Sequence, residues 1–207
     1  MSIQLLFQVM NGVFLMFDSL KIKRLSSKMK NLILVKKDYN KTIECANEIL
    51  ELDENNLFAL KCKSDALRQL GDFEGALECA NVIVDLEPTS FNYSNQAVIL
   101  YFLGDIGGSF EIFDYFLKSS NDFTEAFNNK SIFLYELGRV DEVLELCDFI
   151  LEKDPTFINA LSMKSRVYYD KKEYDLALDY INNAYDIDSN NEWINDMKKQ
   201  ILNKINE

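Results

Sequence analysis

From Leu57 the apolar positions Leu60, Leu67 and Leu70 keep helical spacing and then break at Gly71. They resume after Asp72 with Phe73, Leu77, Ala80, Val84 and Leu86, and stop at Pro88. The stretch predicts two short helices around a tight turn. Shifted by a period of 34, the same pattern returns from Ala126 and again from Ala160.

With Leu57 as position 1 of a repeat, particular side-chain types recur in phase. Small residues stand at position 8 (Ser64, Ala97, Ser131, Ser165) and position 20 (Ala76, Ser109, Ala177), where two antiparallel helices must approach closely. Large apolar residues at positions 11 and 17 fill the hairpin, and those at 24, 27 and 28 await the next unit, so each hairpin completes its burial only with a neighbour. Gly71, Gly104 and Gly138 follow the first helix, where a left-handed residue ends it cheaply.

In these positions the sequence resembles the tetratricopeptide repeat (TPR) family. The resemblance implies an all-α fold, a right-handed superhelix of about five helical hairpins. The units fall at residues 23–56, 57–89, 90–123, 124–157 and 158–191, with an apolar helix at 1–22 and a capping helix at 192–207. The first unit is the weakest, with Lys30 at position 8 and Lys37 at position 15. In the last helix Trp193, Ile194, Met197, Ile201 and Ile205 share one side and lysines the other, the pattern of a cap.

In the family, consecutive first helices line a concave groove that holds a peptide or partner protein, through positions 2, 5, 6, 9, 12 and 13. Carried onto this chain, the expected partner-binding residues are Lys61, Asp65 and Arg68, then Asn95 and Tyr101, then Asn129 and Tyr135, then Arg166 and Tyr169. Cys62 and Ser94 fall at groove positions too. Tyr101, Tyr135 and Tyr169 share position 12: rigid rings with polar tips suit an extended peptide. They equally suit filling between first helices. Asn95 and Asn129 share position 6, and an amide there can pair with a bound backbone. The family's carboxylate clamp is incomplete: Lys61 and Asn95 fit it, whereas Asp65, Glu125 and Asn129 depart from it, so a chaperone C-terminus is not the expected ligand.

Residues 1–22 carry Ile3, Leu6, Phe7, Met10, Phe14 and Phe17 on one helical face. Basic residues do not precede the apolar run and no small-residue cleavage site follows it, unlike a signal peptide. Gln4, Gln8, Asn11 and Asp18 interrupt it, unlike a membrane span. Packing on the first repeat, packing on a second chain, and anchoring at a membrane surface all remain open. The last two would make the chain a self-assembling subunit or a membrane-tethered assembly factor.

Charge changes the picture by its distribution. The chain carries −12 overall, yet residues 1–41 hold 8 basic and 2 acidic side chains while the remainder holds 14 and 32. The acidic body repels phosphate backbones, so the expectation is a protein or peptide partner and no nucleic acid. Cys45, Cys62, Cys79 and Cys147 form no C-x-x-C, and the sequence has no histidine, so no metal site and no cofactor are expected. Reduced core thiols favour the cytoplasm. The recurrent pairs Lys63-Ser64, Lys130-Ser131 and Lys164-Ser165 are adjacent on a helix and point about 100° apart, which argues against a nucleophile and its base. Gly104–Ser109 (GDIGGS) lacks the lysine of a phosphate loop. The expectation is an adaptor or scaffold, not an enzyme.

Overall fold

Amphipathic segments separated by Gly, Asp and Asn punctuation fold as consecutive helices. The computed structural model describes residues 3–119 and 123–207, with side chains from residue 16 onward. The faces expected of Ile3, Leu6, Phe7, Met10 and Phe14 lie outside the described side chains. Two compact units divide the chain, Met1–Asp122 and Phe123–Glu207. All regular structure among the described residues is helical.

The first unit holds α1 (Ile3–Asn31), a π-helical turn (Leu32–Lys36), α2 (Tyr39–Leu50), α3 (Leu57–Leu70), α4 (Phe73–Leu86), α5 (Ser90–Phe102) and α6 (Ile106–Ser119). Nothing between Ile22 and Asn31 breaks a helix, neither Gly nor Pro, and α1 runs through the boundary expected at 22/23. Its C-terminal half serves as first helix to α2: Leu25, Met29 and Leu32 pack with Cys45, Ala46 and Ile49, and with Ala59 and Cys62 of α3. A second cluster joins Leu67 of α3, Ala76, Cys79 and Ala80 of α4, and Ile99 of α5. Each core patch thus draws on three consecutive helices, as expected of hairpins that cannot bury their own apolar faces.

The second unit holds α7 (Thr124–Glu136), α8 (Val140–Lys153), α9 (Ile158–Asp170), α10 (Tyr174–Ile187) and α11 (Glu192–Ile205). Leu161, Ala177, Ile181 and Ala184 meet Ile194, Met197 and Ile201 of α11, which closes this end. The small positions behave as their size dictates. Ser64 Oγ donates to the carbonyl of Ala76 at 3.2 Å and Ser165 Oγ to that of Ala177 at 2.8 Å, so position 8 of one helix touches position 20 of the other. That bond makes the Ser165 hydroxyl a packing contact between the two helices. Lys164 beside it is buried, its Nζ 2.5 Å from Asp148 and 4.4 Å from the Tyr180 ring centroid.

Helix starts in the first unit are capped by short polar side chains: Asp38, Asn56, Asp72, Thr89 and Asp105 each accept a backbone N–H three residues on. The GDIGGS stretch resolves as such a cap. Gly104 ends α5 at φ 87°, Asp105 caps α6, and a Cβ on Gly108 would fall 2.5 Å from an Asp105 carboxylate oxygen.

At position 15 a left-handed residue ends the first helix: Gly71, Gly104 and Gly138 have φ of 81°, 87° and 71°, whereas Lys37 and Lys172 hold 49° and 64°. A side chain there is strained by about 1 kcal/mol. Lys172→Gly is therefore expected to raise the unfolding free energy by about 0.5 kcal/mol or more, and Gly138→Ala to lower it by about 1 kcal/mol, both read from chemical denaturation.

Candidate functional site

The expected partner-binding residues separate into two groups, one in each unit. In the first, α3 and α5 bring Lys61, Asp65, Arg68 and Asn95 around a cleft of about 160 Å³, with Phe91 and Ile99 as apolar lining. Lys61 is already engaged: its ammonium lies 2.5 Å from Glu87, and Asn92, buried beside it, donates to the same carboxylate at 3.0 Å. These hydrogen bonds, Lys61 first, hold the Glu87 carboxyl below its ordinary value. Tyr101 is half-buried, edge-on to Phe102 at 5.6 Å, and does not line this cleft.

Cys62 and Ser94, expected in the groove, are buried instead. Cys62 belongs to the core patch shared with α1 and α2, where Leu25 and Met29 of the C-terminal half of α1 cover position 6 of that repeat. Burial pushes its thiol up to about 11.

In the second unit α7, α9 and α11 enclose a larger open cleft of about 720 Å³. Its floor is apolar, formed by Ile132, Ile158, Met163 and Trp193; Asn128, Asn159, Tyr135 and Arg166 supply its polar rim. Ile132 and Trp193 are each 45% exposed, which leaves substantial apolar surface in water. Asn159 Nδ2 donates to Asn128 Oδ1 at 2.8 Å. The Tyr135 hydroxyl donates to Asp170, a bond that leads the causes raising the pKa of the phenol, and the Arg166 Nε donates to the same carboxylate at 3.2 Å. The Arg166 guanidinium also lies 5.9 Å from the Tyr135 ring centroid. Tyrosine, arginine and aspartate therefore hold one another in place along one rim, which lowers the entropy lost on contact with a ligand.

Of the residues expected in this half, Tyr135 and Arg166 line the cleft, while Asn129 and Tyr169 do not. Tyr169 packs on the core patch of α9, α10 and α11, tilted against Tyr174 at 5.6 Å. Trp193 is the wall that periodicity misplaced. The spacing puts it on one side of the last helix with Ile194, but neighbours in sequence diverge by about 100°. Ile194 packs into the core patch at the base of the cleft, and the indole stands exposed at its side.

Among the described residues no group of His, Cys, Asp and Glu is arranged to hold a metal ion. The four cysteines are free and buried. Burial, only partly opposed by Lys164, pushes the Cys147 thiol from its ordinary 9.0 up to about 12. The folded chain thus keeps a proton that the unfolded chain releases, and this group's stabilisation, complete below pH 9, is lost as pH rises toward 12. Unfolding free energy should fall above pH 9 by up to about 1.4 kcal/mol per pH unit from this thiol, and Cys147→Ala should flatten the slope.

The family model of the tetratricopeptide repeat matches residues 158–191. No curated protein matches the sequence. Among solved structures the fold is similar to that of MamA (16% identity, 82% of this chain and 92% of that one, TM-score 0.59) and of PilF from Pseudomonas aeruginosa (10%, 91% and 86%, 0.62). It is also similar to YrrB, described as a TPR protein with an unusual peptide-binding site (18%, 82% and 88%, 0.52). Among the described residues no helix is long and apolar enough to cross a membrane. Residues 158–191 thus match a tetratricopeptide repeat, and the helical hairpins on both sides of residue 122 are similar in fold to these solved structures.

Proposed function

We propose that the chain is a non-enzymatic adaptor that holds an extended segment of a partner protein in the cleft of α7, α9 and α11. TPR proteins are in general protein-interaction scaffolds, and the observation that carries the specific reading is the cleft itself. An indole, a thioether and two isoleucines form a preformed apolar floor, and amide, hydroxyl and guanidinium groups rim it. The floor suits a large apolar side chain, and the rim suits the backbone on either side of it. The fold shared with YrrB, a protein described by its peptide-binding site, supports the same class of ligand. The smaller cleft at Lys61, Asp65, Arg68 and Asn95 would offer polar contacts to a longer partner segment. Four free thiols support a reducing compartment, the cytoplasm.

Panning the full chain against a random peptide library tests this reading. Enriched sequences should share a large apolar residue, and Ile132→Glu or Met163→Glu should abolish their binding. Enriched peptides that bind both variants as tightly as the parent chain would refute it.

A further inference from the structure

We infer that the solvent-facing side of α1, with the π-turn that follows it, docks on an anionic lipid membrane, lying at the interface without crossing it. With 3.6 residues per turn, Leu25, Met29 and Leu32 fall in one sector of the helix, and that sector packs on α2 and α3. Outside that sector α1 presents Met16, Phe17 and Leu20, each more than half exposed, followed by a basic stretch. The π-turn then presents Leu34 and Val35, 78% and 73% exposed.

Residues 19–37 contain seven Lys and Arg and no Asp or Glu. Among the described residues no salt bridge takes up Lys21, Lys23, Arg24 or Lys28. Exposed apolar groups on both sides of a basic cluster match the layering of a bilayer surface, with anionic headgroups outside and acyl chains just beneath. Nucleic acid would satisfy the lysines but leave Phe17, Leu20, Leu34 and Val35 in water. Residues 42–207 carry −18, so the same anionic surface repels the rest of the chain and only this end can approach.

Cosedimentation of the full chain with phosphatidylserine/phosphatidylcholine vesicles, against phosphatidylcholine alone, tests the inference. Binding is expected to the anionic vesicles only, weakened by salt. The triple change Lys23→Glu, Arg24→Glu, Lys28→Glu should lower partitioning by about tenfold or more. Leu34→Ser with Val35→Ser should lower it several-fold. All five side chains are exposed, so melting temperatures should stay at the parent value. Absence of vesicle binding, equal binding to neutral vesicles, or indifference to both variants would overturn the inference. So would light scattering that shows a dimer lost in the Leu34/Val35 variant, or RNA binding lost in the charge variant, where no variant or parent chain binds vesicles.

Discussion

Trp193→Ala is expected to weaken binding of a cleft peptide by about 30-fold or more, some 2 kcal/mol, while the melting temperature barely moves. The asymmetry follows from placement. The indole is nearly half exposed and stands in the first turn of α11, where Asn191 caps the helix by accepting the Ile194 N–H at 3.3 Å. Ile194, Met197 and Ile201 do the anchoring, so truncating the indole removes a wall and leaves the cap seated. Aromatic anchors in preformed clefts carry a disproportionate share of binding energy because they offer much surface with few rotatable bonds. Calorimetric titration of a library-selected peptide, paired with a thermal melt, reads both halves of this expectation.

Phe127→Ala should lower the unfolding free energy by about 3–5 kcal/mol. Phe127 is 1% exposed and meets the Phe157 ring edge-on at 5.2 Å, and Phe123 meets the same ring at 5.3 Å. It occupies position 4 of its repeat, where Leu60 and Leu161 are also buried. The deletion leaves a cavity that helix backbones cannot close by a local shift, since the rings pack between α7 and the start of α9. Urea denaturation followed by circular dichroism measures the loss. A change below about 1 kcal/mol would mean that the hairpins do not depend on one another for burial.

How far the sequence could be read follows from which contacts are local. Small residues at positions 8 and 20 and glycines at 15 recur because each answers one hairpin's own geometry, so repetition exposes them: Ser64 meets Ala76 and Ser165 meets Ala177 as the spacing implies. Trp193 was not readable in this way, because choosing between it and Ile194 for the interior depends on which one α9 and α10 can accommodate. Lys164 is a similar case. Its burial rests on Asp148 one helix earlier and Tyr180 one helix later, partners that periodicity does not connect. Cys62 is buried because α1 continues past residue 22, a run whose lack of Gly and Pro was visible but whose neighbour was not. Position alone does not decide where a side chain goes: Tyr135 and Arg166 line the cleft, while Tyr169, at the same repeat position as Tyr135, packs half-buried against the core patch beside Tyr174.

Site-specific photocross-linking of a selected peptide tests the central claim most directly. A benzophenone side chain placed at Met163, on the floor of the cleft, and separately at Glu145, exposed on α8 and outside it, would be irradiated with the peptide bound. The account predicts a covalent adduct from Met163 that excess unlabelled peptide suppresses, and none from Glu145. An adduct at Glu145 with none at Met163 would place the ligand on another surface and contradict it.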